Sequence, residues 1–302
     1  FNEEHEISLS TGEEVKKSLI RLNIEFQSLI VNPNTFKKDI KKFSKDHICF
    51  NALHGTFGED GKIQKILDLL EYKYTHSSEN ASCIGFNKKF TKDKIKNTDI
   101  ISIDSLEVNY DDLNLKKLLN FFLQFEMFII KPVSSGSSFG IKVFKNINDI
   151  HNFIDNFEIL KNKYKNHNKL LVEKYIKGRE LTVAVIEKNK ESIPLEVTEI
   201  SFNKEFFDYN SKYTPGNAKH ILPAKIPNSI YKKCKDFSKT VHDVIKCKGV
   251  SRSDFIYDGK KIFFLEINTQ PGLTPISLVP EQLKYQNISF DELILDIINC
   301  SI

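Results

Sequence analysis

The chain of 302 residues lacks several features that would place it in a particular class. Its five cysteines form no C-x-x-C pair, and their number is odd. Reduced thiols in a cytoplasmic protein fit this pattern best. No apolar run approaches the roughly 18 residues that a membrane-spanning helix needs, so we expect no association with a membrane.

Two common nucleotide-binding signatures are also absent. The sequence contains neither G-x-x-x-x-G-K-[ST] nor G-x-G-x-x-G. Its net charge of +4 is small beside 44 basic and 40 acidic residues, which are interleaved along the chain. Such interleaving is typical of a solvated surface, so we expect no nucleic-acid partner. The apolar fraction of 40% indicates a soluble globular protein, long enough for two or three domains.

Strands and helices alternate in the first part of the sequence. Apolar spacing predicts a helix over 11–22, strands over 24–31 and 47–53, and a helix over 63–72. This alternation predicts a parallel α/β sheet. Such a sheet normally has a strand before its first helix. Because none is present, we expect that a short N-terminal segment is missing from the sequence.

The remainder of the chain mixes short strands with longer helices. Strands are predicted over 128–131 and 141–145, on both sides of Gly178 and over 192–200, and helices over 148–164, 228–247, from about 276 and over 290–299. Cys234 falls in the apolar stripe of one helix, which indicates a place in the core.

A predicted hairpin near the C-terminus carries a group of polar residues. Its strands are VSRSDFIYD and KIFFLEIN. Because side chains alternate along a strand, Arg252 shares a face with Asp254, and Glu266 shares a face with Asn268. A three-residue loop would place Asp254 opposite Glu266. A two-residue loop would place the two sets on opposite faces.

These four residues predict a magnesium site. Like charges facing each other across strands are destabilising, and a divalent cation would remove that repulsion. Oxygen ligands suit Mg²⁺, which commonly takes one or two carboxylates together with substrate phosphates. Arg252 is one of only three arginines, so its presence indicates a need for the planar guanidinium fork. The alternative is an ordinary solvated strand face.

Two further stretches contain candidates for a nucleotide site. The loop PVSSGSSFG offers backbone N–H groups and hydroxyls to phosphate oxygens, although a plain hairpin loop would look similar. Lys131 ends an apolar strand, and a buried lysine usually has an anionic partner. Glu173 could accept a hydrogen bond from an adenine amino group. A surface glutamate on an edge strand is the alternative.

Two loops are candidates for substrate contacts. The loop HGTFGEDG follows a buried strand, where α/β proteins place their sites, although a lone histidine such as His54 is more often structural. The segment 205–227 is a long loop that contains Lys212 and Tyr213. Long loops inside compact domains are usually functional.

Taken in order, six motifs give the chain a family resemblance. The motifs HGTFGEDG, IIKPVSSGSSFG, EKYIKGRELTV, FFDYNSKY, SRSDF and FLEINTQPGLTPISL resemble those of D-alanine–D-alanine ligases of the ATP-grasp superfamily. The resemblance runs from Glu4 to the C-terminal helix. It departs from the family at the start, where a strand ending in a Gly-Gly turn is absent.

The resemblance implies an α/β ATP-grasp fold with three parts. These are an N-terminal parallel α/β substrate domain over 1–77, a central subdomain over 78–172, and a C-terminal domain over 173–302 with the metal and second-substrate sites. The last two would clamp ATP between them.

The resemblance also implies a reaction. ATP would phosphorylate one D-alanine to an acyl phosphate, and the amine of a second D-alanine would displace phosphate, for peptidoglycan synthesis. Two Mg²⁺ ions, replaceable by Mn²⁺, and a cytoplasmic homodimer are implied as well. Two alternatives stay open: another ATP-grasp amino-acid or peptide ligase, and a nucleotide-binding regulator without catalysis.

Site residues follow by match to the family motifs. The ATP-binding set is Lys88, Lys131, Ser135, Gly136, Ser137, Ser138, Glu173, Lys174, Ile176, Glu180 and Lys212. The metal set is Asp254, Glu266 and Asn268, the same three oxygen ligands that the hairpin face provides.

The substrate residues are implied in the same way. Glu4 would bind the ammonium of the first D-alanine beside His54, and Arg252 with the Gly272 N–H would stabilise the oxyanion. Ser277 and the Leu278 N–H would receive the second carboxylate, as a helix N-terminus favours anions. Ser137 and Tyr213 would position the attacking amine, while the loop with Lys212 and Tyr213 closes over the site.

Overall fold

A computed structural model of the chain describes residues 4–136, 140–156, 169–202 and 218–301. The predictions made for Ser137, Ser138, Lys212 and Tyr213 lie outside the described residues. Within the described ranges, no helix is both long and apolar enough to cross a membrane.

The helices and strands are numbered here in chain order. The helices are α1 (His5–Arg21), α2 (Phe36–Asp39), α3 (Lys62–Leu69), α4 (Glu79–Phe86), α5 (Lys88–Ile95), α6 (Leu115–Phe125), α7 (Ile147–Asp155), α8 (Asn228–Ile245), α9 (Leu278–Tyr285) and α10 (Phe290–Asn299). The strands are β1 (Ile48–Cys49), β2 (Lys73–Tyr74), β3 (Ile101–Ser102), β4 (Ser105–Asn109), β5 (Phe128–Pro132), β6 (Lys142–Phe144), β7 (Lys169–Lys174), β8 (Arg179–Lys188), β9 (Glu191–Pro194), β10 (Thr198–Phe202), β11 (Ala218–Ile221), β12 (Val250–Tyr257) and β13 (Ile262–Asn268).

These strands form three sheets. A two-stranded parallel sheet pairs β1 with β2. A four-stranded antiparallel sheet has the order β4-β7-β5-β6. A seven-stranded sheet has the order β11-β10-β8-β12-β13-β3, with β9 also paired to β8, and it is antiparallel except between β13 and β3.

Each sheet is covered by apolar side chains from helices. In the four-stranded sheet, Phe128 and Phe144 stack with ring centroids 4.5 Å apart and pack with residues of α6 and α7. One face of the large sheet packs on α8, where Cys234 is fully buried as the sequence predicted. The other face packs on α1, α9 and α10. The large sheet is therefore held between helices, and its central strands β8 and β12 are shielded from water.

Several predicted elements change in the structure. The first helix begins at His5 rather than near residue 11, and β1 has only two residues within the predicted strand 47–53. The predicted strand over 24–31 is wrong, since that segment has no regular structure. Apolar alternation alone does not make a strand. The backbone also needs a neighbouring ladder, and in the described part of the chain none pairs with this segment. The predicted strand over 192–200 is two strands, β9 and β10.

The C-terminal hairpin has the predicted register, but the predicted loop length is not what produces it. Tyr257 pairs with Ile262, so the loop between them has four residues rather than three. A four-residue loop alone would place Asp254 opposite Leu265. A β-bulge next to Asp254 shifts the register by one residue, and Asp254 pairs with Glu266 instead.

Candidate active site

A cavity of about 770 Å³ opens beside the end of this hairpin. It collects residues from distant parts of the chain: the start of α1, the loop after β1, the start of α5, the loop after β5, the strands β12 and β13, and the segment leading into α9. The predicted site residues that line it are Glu4, His54, Lys88, Ser135, Gly136, Arg252, Glu266, Asn268, Gly272, Ser277 and Leu278.

Arg252 and Asp254 form a two-pronged ion pair on one strand face. The Arg252 Nε and one terminal nitrogen each donate to a different Asp254 oxygen, both at 3.0 Å. Asp254 is nearly fully buried, and it also accepts from the Thr182 hydroxyl at 2.6 Å. The fork that the rare arginine predicted is present. It fixes the orientation of a buried carboxylate.

Glu266, opposite Asp254, is paired with a second cation. The Lys88 ammonium lies 3.1 Å from a Glu266 oxygen and donates to the Ser135 carbonyl at 2.7 Å. Lys88 therefore connects the start of α5 to the hairpin and to the Ser/Gly loop. Three segments that are distant in sequence meet at this side chain.

The third predicted metal ligand is also held in place. The Asn268 side-chain oxygen accepts from the Gln270 N–H at 2.7 Å. The Gln270 side chain then bonds to Asn51, which donates to its oxygen at 2.8 Å. This amide pair joins the loop after β13 to the segment that precedes His54.

The donor set fits a magnesium ion that also binds phosphate. Asp254, Glu266 and Asn268 offer oxygen ligands from adjacent strands, with Asp254 directly opposite Glu266. In the described ranges, no group of three or more His, Cys, Asp and Glu residues is arranged to hold a metal by itself. Two carboxylates and an amide leave several positions of an Mg²⁺ ion for water and phosphate oxygens, which is the usual arrangement for this metal.

A buried charge cluster lies between α5 and the four-stranded sheet. Glu173 is 0% exposed and sits on β7, a strand with neighbours on both sides, so it is not a surface glutamate on an edge. One of its oxygens pairs with Lys131 and the other with Lys92. Lys131 thus has the anionic partner that its burial predicted.

The cluster shifts the ionisation of its members. Burial alone would raise the pKa of Glu173, but Lys131 and Lys92 hold it below its usual value. Burial lowers the pKa of Lys92, partly offset by Glu173. The cluster contains two lysines and one carboxylate, and Lys131 comes directly before the Ser/Gly loop in the sequence, so basic groups are in excess where a phosphate anion is predicted.

The start of α1 reaches the Ser/Gly loop. A Cβ atom added at Gly136 would lie 2.8 Å from a Glu4 carboxylate oxygen, so the loop backbone and the Glu4 side chain approach each other closely. Nearby, His54 is buried and contacts the Thr11 hydroxyl at 2.8 Å and Glu59 at 3.3 Å. Glu4 and His54 therefore line the same end of the cavity.

The segment before α9 forms another part of the wall. Ser277 is the N-cap of α9, and its hydroxyl lies 2.7 Å from the Thr274 hydroxyl and accepts from the Thr274 N–H at 3.2 Å. A Cβ at Gly272 would meet the Ser277 oxygen at 2.9 Å. The Gly272 backbone and the Ser277 hydroxyl are therefore adjacent in the cavity wall.

Not every predicted residue lies in the cavity wall. Four of them do not line it and are buried in strands: Lys131, Glu173, Glu180 and Asp254. Lys174 has an exposed side chain at the end of β7, and Ile176 is half-buried in the connection that follows.

Sequence reasoning missed three residues that support the site. Lys92 follows Lys88 by one helical turn, and that spacing could have indicated it. Thr182 bonds to Asp254 from the neighbouring strand, and Thr11 bonds to both His54 and the Leu273 N–H. Strand pairing and packing bring both residues to the site. Thr182 stands within the motif EKYIKGRELTV, but its bond to Asp254 depends on the pairing of β8 with β12. Thr11 lies in none of the six motifs.

Comparison with known proteins agrees with this geometry. The family model described as D-ala D-ala ligase C-terminus matches residues 94–299. A D-alanine–D-alanine ligase from Zymomonas mobilis is 39% identical over 297 residues, covering 96% of this chain and 88% of the relative. One from Pelagibacter ubique is 38% identical, covering 97% and 93%.

The chain belongs to the D-alanine–D-alanine ligase family. Solved structures of the family share its fold. The crystal structure of the D-alanine–D-alanine ligase from Bacillus anthracis has a TM-score of 0.81 at 27% identity, covering 99% of this chain and 94% of that one. The VanG D-Ala:D-Ser ligase from Enterococcus faecalis has a TM-score of 0.70 at 28% identity, covering 84% and 72%. The predicted ATP-grasp fold is confirmed.

Proposed function

We propose that this chain joins two D-alanines to D-alanyl-D-alanine at the expense of ATP, for peptidoglycan synthesis. The observation that carries the proposal is the face of the β12–β13 hairpin. There Asp254 and Glu266 lie opposite each other, each paired with a cation, at the edge of a cavity that also contains Glu4 and Ser277. Membership of the ligase family supplies the reaction that this arrangement serves.

ATP binds, in this proposal, where the positive charge of the buried lysines meets the Ser/Gly loop. Lys88 and Lys131 contact the phosphates, and Ser135 to Ser138 lie over them. Glu173, Lys174, Ile176, Glu180 and Lys212 complete the nucleotide site by match to the family motifs. Mg²⁺, or Mn²⁺ in its place, neutralises phosphate charge when bound, and Asp254, Glu266 and Asn268 are its protein ligands.

The first D-alanine lies at the end of the cavity formed by α1. The Glu4 carboxylate attracts its ammonium group, and His54, buried beside Glu59, shapes the pocket around it. This places the substrate carboxylate toward the phosphates. Transfer of the terminal phosphoryl group then gives an acyl phosphate and ADP.

The second D-alanine lies against the start of α9. The Ser277 hydroxyl and the Leu278 N–H receive its carboxylate, because the helix N-terminus has orphan N–H groups and a favourable dipole. Its amine, positioned by Ser137 and Tyr213, attacks the acyl phosphate carbon. Arg252 and the Gly272 N–H stabilise the oxyanion, and phosphate leaves.

We further propose a cytoplasmic homodimer with the three-part division at 77/78 and 172/173. The five cysteines are free, which supports the cytoplasmic location. Burial raises the pKa of the Cys234 and Cys247 thiols to about 12. The second boundary lies within β7. Light scattering of the purified chain tests the dimer.

The function is tested by ADP release in the presence of ATP and Mg²⁺ and a panel of amino acids. We expect release with D-alanine and none with L-alanine. Release with a different amino acid or a peptide, and not with D-alanine, would identify another ATP-grasp ligase. Binding of ATP without release for any amino acid would identify a regulator.

A further inference from the structure

Gln282 is a buried polar side chain in α9 that the proposed reaction does not use. It is 0% exposed and lies five residues after Ser277 on the same helix. Its side-chain oxygen accepts from the Ala184 N–H at 2.9 Å. Its nitrogen donates to the Thr198 hydroxyl at 3.0 Å and to the Thr182 carbonyl at 3.3 Å. A single amide thus bonds to both β8 and β10.

These bonds fill a gap in the large sheet. On one side, β8 pairs with β10 as far as Thr182, and with β9 from Val185 onward. Between the two partners, the Ala184 carbonyl accepts from Leu195, but the Ala184 N–H has no strand partner on that side. The Gln282 oxygen takes that position. A buried N–H without a partner is costly, so the sheet and α9 are tied together at this point.

The same connection reaches the face of the β12–β13 hairpin that carries the predicted metal ligands. Thr182, whose carbonyl accepts from Gln282, donates its hydroxyl to Asp254. Asp254 is held from the other side by Arg252. Thr182 therefore links Gln282, on the helix that begins after Ser277, directly to Asp254, a carboxylate of the predicted metal set.

We infer that Gln282 is a positioning residue for the second substrate. By tying α9 to β8, it sets the distance between the α9 N-terminus, with Ser277 and the Leu278 N–H, and the metal face around Asp254. The inference rests on the second-substrate site of the proposed function. An amide suits this role because the gap needs one acceptor and two donors, which a carboxylate or an apolar side chain cannot supply together.

The chain contains a matched control on the same helix end. Gln286 lies one turn after Gln282 and donates to Glu196 at 3.0 Å, outside the buried gap. Gln286→Met removes an amide of the same size without touching β8. Thr198→Val offers a milder change at the gap, since it removes one partner of Gln282 and keeps nearly the same volume.

The test is a set of initial rates at saturating ATP over a range of D-alanine concentrations, fitted with separate Michaelis constants for the two D-alanines. We expect Gln282→Met to raise the Michaelis constant for the second D-alanine by about tenfold or more, because a small displacement of a binding group weakens substrate binding strongly. The constants for ATP and for the first D-alanine should stay unchanged. Thr198→Val should move the second constant in the same direction by less, and Gln286→Met should leave it alone.

Ser277→Ala, measured in parallel, distinguishes a failure of the proposed second-substrate site from a failure of the positioning role of Gln282. If Ser277→Ala leaves the second constant unchanged, the proposed second-substrate site is wrong. If Ser277→Ala raises it while Gln282→Met and Thr198→Val do not, only the positioning role is wrong. Should Gln282→Met fail to fold, Thr198→Val decides alone, and an unchanged second constant in that variant overturns the inference. Equal losses in all three constants for Gln282→Met would also overturn it.

Discussion

Asp254 and Glu266 are direct partners across the β12–β13 hairpin, and each carboxylate is matched by its own cation. Arg252 forms an ion pair with Asp254 on the same strand, and Lys88, at the start of α5, forms one with Glu266. The repulsion expected between facing carboxylates is therefore already compensated by the chain. This balance has consequences for metal binding and for the roles of the two cations.

The first prediction is that Mg²⁺ binds well only together with nucleotide. Arg252 and Lys88 already neutralise the two carboxylates, so these carboxylates bind a free Mg²⁺ ion only weakly. ATP brings phosphate oxygens as further ligands for the ion. We expect Mg²⁺ alone to leave the melting temperature unchanged, and Mg²⁺ with a non-hydrolysable ATP analogue to raise it. A clear rise with Mg²⁺ alone would show that the carboxylates form a complete metal site.

The second prediction concerns Arg252. Arg252→Lys keeps the charge but loses the two-pronged contact with Asp254 and the fixed oxyanion donor proposed above, so kcat should fall by about 10²-fold. Arg21→Lys is the control, because Arg21 makes a similar fork to Asp291 on the surface, at the end of α1 that is remote from the cavity. Steady-state rates at saturating substrates measure both. If Arg252→Lys retained the parent kcat, the fork would have no catalytic role.

Lys92 is the subject of the third prediction. Lys92→Met leaves one oxygen of the buried Glu173 without its ammonium partner, which should lower the free energy of unfolding by about 3 kcal/mol. Glu173 would then hold Lys131 more strongly, so the Michaelis constant for ATP should rise as well. Urea denaturation and ATP titration measure the two effects.

The control for Lys92 lies on the same helix. Lys89 pairs with Asp93 at the surface. Lys89→Met should therefore change the stability by about 0.5 kcal/mol or less, because exposed pairs contribute little. Equal stability losses in the two lysine variants would show that the buried cluster is no more important than a surface pair.

Much of the site was predictable because its chemistry is encoded locally. Alternation along a strand already places Arg252 with Asp254, and Glu266 with Asn268. The pairing of the two sets was harder, since it depends on a four-residue loop and a bulge that cancel each other. Nothing in VSRSDFIYD or KIFFLEIN marks the bulge. The correct register was therefore reached through an incorrect loop length.

The remaining failures arise from contacts that are distant in sequence. The segment 24–31 alternates like a strand, but Ile30 is 75% exposed and the backbone has no ladder to join. Lys92 and Thr182 support the site through partners about 80 and 72 residues away, as the contacts to Glu173 and Asp254 show. The spacing of Lys92 from Lys88 could have marked that lysine. No local pattern reveals its partner or the partner of Thr182, because only the packed fold brings these pairs together.

Acid should destabilise the fold through two buried histidines. Burial, with a contribution from His54, lowers the pKa of His76 to about 3, and burial lowers that of His242 to about 4. The folded chain keeps both neutral, while the unfolded chain takes up protons below its ordinary histidine pKa. Each histidine should therefore lower the free energy of unfolding by about 2 kcal/mol on going from neutral pH to pH 5. The pKa of Glu173 lies below the usual carboxylate value, so the stability that comes from that residue is lost mainly below this range.

Urea denaturation at neutral pH and at pH 5 measures the effect, and His76→Gln identifies its source. The variant should lose less stability than the parent over the same interval, because its side chain does not titrate. A parent protein that is equally stable at both pH values would contradict the assignment of neutral, buried histidines.

The most direct test of the account is the amount of D-alanyl-D-alanine formed from ATP, D-alanine and Mg²⁺, measured by mass spectrometry for three proteins. The parent and Glu107→Gln, which breaks the surface pair of Glu107 with Lys169, should both make the dipeptide. Glu266→Gln should remain folded and make none, because it removes one of the two facing carboxylates. Dipeptide formation by Glu266→Gln at the parent rate, or none by the parent, would contradict the account.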